Sequence, residues 1–216
     1  MKQQNQSEHQ KYYNKDNVEV PSCTTVIKLL AKDLEGWSNW LGKRGIDYNA
    51  YMDETASVGT EAHALAESII KQDENHEVNH NIINQRDEFI LRDRICKLVE
   101  LLHNKGYTKL ESEISLTGER YGGTLDLLCY NEDLNKYLLL DFKTSKNIYP
   151  SMFIQLAGYT QLLREVRNID VSDVGIILLR RDNDVQGFSN IMSVEENSKN
   201  LEIFNHLLNI YYLYKM

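Results

Sequence analysis

Two aspartates and a lysine stand out by type and spacing: Asp126, Asp141 and Lys143. Asp126 follows Gly122-Gly123-Thr124 and opens an apolar run that ends at Tyr130. Asp141 closes a second apolar run, residues 137–140, and Lys143 stands two places further on. Residues two apart in a strand share a face, so Asp141 and Lys143 point one way and Phe142 the other, into the core. Two carboxylates brought together repel, and an ammonium between them relieves the repulsion only in part. A divalent cation that prefers carboxylate oxygens relieves it fully. The lysine is then free to stabilise negative charge that develops on a substrate.

The elements around these residues must bring them together. Asn131-Glu132-Asp133-Leu134-Asn135 is a polar turn, so the two apolar runs read as a β-hairpin with a five-residue loop that can set Asp126 near Asp141. Ahead of it, residues 107–116 form a strand with Glu111 and Glu113 on one face, not separable by pattern alone. Behind it, residues 150–166 form a helix with Gln155 and Tyr159 on one face and Phe153, Leu156, Ala157 and Leu163 for packing. A strand at 174–179, a turn at 180–184, a return strand at 186–194 and a helix at 195–214 complete the C-terminal half.

The N-terminal half reads as helical. Pro21 and Ser22 start a helix, and Thr24 and Thr25 near its beginning either complete the cap or offer hydroxyl and backbone N–H groups to a phosphate. Trp37 and Trp40 share a helical face, as core or as a stacking platform for unpaired bases. Residues 46–73 form one long helix or two short ones, with His63 and Glu67 four apart. Residues 81–105 form another, with Ile82, Phe89, Ile90, Ile95, Leu98, Val99 and Leu102 on an apolar face. The element order gives an α/β fold, a mixed central sheet flanked by helices with an N-terminal helical region. The expected division is a flexible tail over 1–19 and a single domain over 20–216, helical to 106 and sheet-based from 107.

Gly123 to Asp126, Asp141-Phe142-Lys143, and Gln155 with Tyr159 together resemble the PD-(D/E)XK nuclease superfamily, in its RecB-like and phage-exonuclease branch. The resemblance covers roughly residues 20–195 and implies a restriction-endonuclease-like sheet. It implies a metal-dependent deoxyribonuclease with one or two Mg²⁺ or Mn²⁺ ions on Asp126, Asp141, a glutamate one strand earlier (Glu113, with Glu111 in reserve) and the backbone carbonyl of Phe142. Gly59-Thr60 ahead of His63 resembles a second motif of that branch and adds His63 to the metal set, with Gly59 allowing close packing. Lys143 would act on the developing charge, and Gln155 and Tyr159 would position the lysine, the water or a phosphate. Ser22, Thr24, Thr25, Trp40, Thr144 and Ser145 are the expected substrate contacts. An exonuclease of recombination, replication or repair comes first. A structure-specific endonuclease on the same fold and a non-catalytic nucleic-acid-binding module are the alternatives.

Composition is compatible with this. A net charge of −8 argues against a chain coated in basic surface, but carboxylates awaiting a cation account for part of it and a local basic groove can coexist with it. The three cysteines, Cys23, Cys96 and Cys129, are far apart and odd in number, as expected for reduced core thiols in a cytoplasmic protein, and the resemblance implies the cytosol of a bacterial or phage-infected cell. No cysteine follows Cys129, so the iron–sulfur cluster of some relatives is not expected. No apolar run approaches the ~20 residues of a membrane span. The expected partners are DNA, single-stranded or with a free end, and a replication or recombination protein.

Overall fold

The computed structural model describes residues 10–30, 35–181 and 188–215. Its centre is a five-stranded mixed sheet in the order β3-β4-β5-β6-β7: Tyr107–Thr117, Gly122–Asn131, Lys136–Lys143, Val171–Leu178 and Phe188–Ser193. Pairing is antiparallel except between β5 and β6, which run parallel because helix α5 (Pro150–Arg167) connects them. Helices α3 (Tyr48–Lys71) and α4 (Gln85–Asn104) cover one face. The other face is covered by α5, α6 (Ser198–Lys215) and the short α1 (Cys23–Ile27). A further helix, α2 (Glu35–Gly42), precedes α3.

Four of the helices begin where the sequence offers a start signal. Ser22, Asp47 and Asn84 accept backbone N–H bonds at the starts of α1, α3 and α4, and Pro150 opens α5 where a missing N–H costs nothing. The buried stripe of α4 is Leu91, Ile95, Leu98 and Leu102. Phe89, expected on that face, is instead 74% exposed, because it lies on the opposite side of the helix from the stripe.

The β4–β5 hairpin has the expected partners, with Asn131 facing Lys136, so its loop is the four residues 132–135 rather than five. In β5, Leu139 enters the core beneath α5, while Leu138, Leu140 and Phe142 enter the core beneath α3 and α4. Asp141 and Lys143 therefore point toward α5, and Phe142 away from them.

The alternation breaks at one level in β3 and β4. Leu110 packs on the α4 side, but Ile114 and Leu116 pack on the α5 side. Leu127 and Cys129 pack on the α4 side, but Leu125 packs on the α5 side. Register is unchanged across the break: Ser112 faces Leu127 and Ile114 faces Leu125. Both strands thus shift phase at one rung, occupied by Glu113 and Asp126. Glu113 has a φ of 52°, a left-handed conformation that a strand residue rarely adopts.

The N-terminal segment corrects an expectation. Residues 10–19 are not a tail: β1 (Tyr12–Tyr13) and β2 (Glu19–Val20) pair as a hairpin, and Asn17 takes positive φ in the turn between them. Tyr12 is buried, its ring lying against Gly122 where any side chain would collide. The expectation for residues 1–9 lies outside the described residues. Among the described residues no helix is long and apolar enough to cross a membrane.

Candidate metal centre

Three elements converge at the rung where β3 and β4 change phase. Helix α3 brings His63, β3 brings Glu113 and β4 brings Asp126, and one ligand atom of each lies within 4.8 Å of the others. His63 Nδ1 is 3.3 Å from Asp126 Oδ1 and 4.0 Å from Glu113 Oε1. The other oxygen, Asp126 Oδ2, accepts the Phe142 N–H at 2.6 Å. The ladder between β4 and β5 ends at Leu127 and Leu140, so this side-chain bond takes over where backbone pairing stops. The Phe142 ring meets the His63 ring edge-on, centroids 6.0 Å apart.

A cleft of about 420 Å³ opens over the group, lined by Gly59, Thr60, His63, Glu67, Thr124 and their neighbours. Thr124 is the lining residue that sequence reasoning had no cause to single out. Glu67 was marked only by its four-residue spacing from His63, and its carboxylate is paired with Lys71. Gly59 is not required for close packing, since a Cβ there would meet Thr144 Oγ1 at an ordinary 3.7 Å.

The electrostatics are those of an under-compensated acidic site. Burial and the Asp126 carboxylate push Glu113 up to about 7, with His63 opposing. Burial would raise Asp126 too, but the charge and hydrogen bond of His63, then Lys143 and the Phe142 N–H, bring it below the usual carboxylate range. His63 is raised: burial disfavours its charge, and Asp126 outweighs that.

Asp141 and Lys143 form a second layer on the α5 side. Asp141 is 1% exposed, its Oδ2 accepts no aligned hydrogen bond, and Lys143 Nζ lies 2.5 Å from it. Burial and the neighbouring Asp126 push Asp141 up to about 6 against the pull of Lys143. Burial would discharge Lys143, but the two carboxylates outweigh it and keep the ammonium charged. Asp141 therefore stands against the lysine, outside the group of His63, Glu113 and Asp126.

On α5, Gln155 Nε2 donates to the Tyr159 hydroxyl at 2.8 Å, and Tyr159 is buried against Gly123. Burial raises the tyrosine well above its ordinary range, with Cys23, Asp141 and Asp126 adding to it. The pair thus stands beneath the carboxylates. Cys23, also buried, donates its thiol to the Gln155 carbonyl at 3.6 Å. Cys129 is buried on the other face, but Cys96, expected in the core with them, is exposed on α4, next to the buried Ile95 of the stripe and off that stripe itself.

The remaining expected contacts separate. Glu111 is drawn away by an ion pair to Arg167 at 2.7 Å, so of the two β3 glutamates it is Glu113 that meets His63 and Asp126. Thr144 stands beside Gly59 at the cleft, and the Ser145 hydroxyl turns to the Asn147 carbonyl at 2.8 Å. Ser22, Thr24 and Thr25 line a different cavity. Within it, Ser22 Oγ caps α1 by accepting the Thr25 N–H at 3.0 Å. Trp40 is half exposed, with the Arg44 guanidinium 3.7 Å from its ring centroid, and lines neither cavity. The side chain of Trp37 lies outside the described residues.

No protein-family model matches the chain, and no curated protein matches it. Among solved proteins, it is similar to the crystal structure of SSO0001 at 12% identity and a TM-score of 0.27, over 67% of this chain and 85% of that one. A likeness at that score carries no argument about fold or function.

Proposed function

We propose that this chain is a metal-dependent deoxyribonuclease of the PD-(D/E)XK type, acting first as an exonuclease on DNA that is single-stranded or has a free end. The observation that carries the proposal is the meeting of His63, Glu113 and Asp126 within 4.8 Å at the floor of a cleft, with Lys143 held beside Asp141 on the next strand. One imidazole nitrogen and two carboxylates suit Mn²⁺ or Mg²⁺, and the raised Glu113 is what a ligand set lacking its cation would give. When bound, the cation supplies Lewis acidity toward a phosphate and lowers the pKa of water.

The chain's own groups do the rest. The Phe142 N–H fixes the Asp126 carboxylate, so one of its oxygens stays aimed at His63 and the cleft. Lys143 is kept charged by two carboxylates and would meet the negative charge that builds on the phosphoryl oxygens. Asp141 holds that ammonium in place. The hydrogen-bonded Gln155 and Tyr159 pack under Gly123 and brace the start of β4. A cytoplasmic setting and a replication or recombination partner belong to the same proposal.

End-labelled linear and circular DNA, incubated with and without Mg²⁺, test it. An exonuclease releases short products from linear DNA only. Cutting of circles makes the protein an endonuclease, and no metal-dependent cutting of any DNA ends the nuclease assignment.

A further inference from the structure

The N-terminal hairpin takes no part in the proposed chemistry, yet it is fastened beside the metal rung. Its contacts run along one face of β4. Position 122 faces Tyr12, since a Cβ on Gly122 would lie 2.3 Å from Tyr12 Cδ1. Position 123 faces the other way, toward Tyr159, and Leu125 likewise packs on the α5 side. Thr124 and Asp126 therefore share the face of Gly122. Tyr12 lies along that face, its ring over Gly122 and its hydroxyl 2.9 Å from the Thr124 hydroxyl, one same-face position short of Asp126.

Gln10 extends the attachment across two strands. Its Nε2 donates to Ser115 Oγ at 2.7 Å, and its Oε1 accepts from Thr124 Oγ1 at 3.1 Å. Ser115 and Thr124 are direct partners in the β3–β4 ladder. A hydroxyl has one proton, so Thr124, which donates to Gln10, accepts from Tyr12. Burial raises the Tyr12 phenol against the pull of that bond, and the Glu113 carboxylate adds to the rise, which keeps the donor protonated.

The rung that these bonds flank has no backbone pairing of its own. Register places Glu113 opposite Asp126, but pairing passes from Ser112 and Leu127 directly to Ile114 and Leu125, at the point where Glu113 takes its positive φ. The rung is held from its two sides instead. The Phe142 N–H holds Asp126 Oδ2, and the hairpin holds Ser115 and Thr124, two residues from the ligands.

We propose that Tyr12 and Gln10 are positioning residues of the metal centre: by fastening Thr124 to Ser115 they keep Glu113 and Asp126 at ligand spacing, so affinity for the cation depends on the N-terminal hairpin. The proposal rests on the metal-dependent reading of the site. Groups that orient metal ligands without touching the metal typically govern about 10–100-fold in affinity.

The test is Mn²⁺ affinity without DNA, read from the paramagnetic resonance of free Mn²⁺, alongside thermal melts in EDTA. Tyr12→Phe keeps the ring on Gly122 and deletes only the donor, and Gln10→Ala deletes the bridge. The double variant should bind Mn²⁺ about tenfold more weakly while its melt shows it folded. Tyr130→Phe is the control, because it removes a tyrosine bond of 2.8 Å, to Asn135, at the far end of the same strand. It should bind Mn²⁺ as wild type does. Wild-type affinity in the double variant overturns the proposal, and so does an equal loss in Tyr130→Phe, the mark of general loosening. A wild type that binds no Mn²⁺ overturns it together with the metal reading. If wild type and double variant bind Mn²⁺ alike and both cut DNA, the positioning role falls and the nuclease assignment stands. If Mn²⁺ affinity depends on these two residues but no DNA is cut, the nuclease assignment falls and the positioning role stands.

Discussion

Glu113→Gln should stabilise the metal-free protein, and only at high pH. Glu113 moves from an ordinary 4.5 to about 7 in the fold, so the folded state binds that proton more tightly than the unfolded chain. Below 4.5 both states are protonated and the residue is neutral in the balance. Between 4.5 and 7 the unfolded chain loses the proton first, and stability falls as pH rises. Above 7 the whole penalty is present. At ~1.4 kcal/mol per pH unit it is about 3 kcal/mol as an upper bound. The side chain is 29% exposed, so solvent screening reduces this to roughly 1–2 kcal/mol. For a chain of this length that is roughly 2–8 °C in melting temperature. The assay is a thermal melt in EDTA at several pH values from 4.5 to 8. The variant should match wild type at the acid end and melt higher at pH 8, while losing the stabilisation that added Mn²⁺ gives wild type. A pH-independent difference, or a variant less stable at pH 8, would refute the under-compensated site.

Lys143→Ala should slow single-turnover cleavage by about 10²–10³, and Lys143→Arg should rescue little, because a planar fork does not replace a point charge; wild-type cutting by the arginine variant removes the lysine from the chemistry. The same alanine strips a buried carboxylate of its cation and should cost about 3–5 kcal/mol at high pH, less as pH falls and Asp141, no longer held down by Lys143, takes up a proton. Gly123→Ala would set a Cβ 2.5 Å from Tyr159 Cε1 and should cost about 1–3 kcal/mol; an unchanged melting temperature would mean that Tyr159 is not wedged there. Deleting residues 1–18 uncovers Gly122 and forfeits the burial of Tyr12, roughly 2 kcal/mol, and a truncated chain that melts with the full one would return the segment to the status of a tail.

Much of this was legible because period-two patterning and turn chemistry are local. The apolar runs flanking Asn131 to Asn135 fixed a hairpin, and with it the levels of Asp126 and Asp141. Strand alternation put Lys143 on the side of Asp141. Alternation could not separate Glu111 from Glu113, because what separates them is a left-handed residue in mid-strand and an ion pair to Arg167, 56 positions away. The same phase change goes with Asp126 turning to His63 of α3 while Asp141, at the same level of β5, pairs with Lys143. The N-terminal hairpin was missed because two-residue strands have no period to detect. Its stability comes from Tyr12 lying on Gly122, a contact over more than a hundred residues.

The bond from the Phe142 N–H to Asp126 Oδ2 decides which substitution can serve as a control. It fastens β4 to β5 beyond their last backbone pair, so Asp126→Ala removes a donor to the metal and a clasp of the sheet in one stroke. Inactivity in that variant would say nothing about which loss caused it. Asp126→Asn keeps an acceptor for the amide while weakening the hold on a cation. The two mutants together separate a dead centre from a sprung one: if asparagine melts like wild type and alanine does not, any activity missing from asparagine belongs to the chemistry.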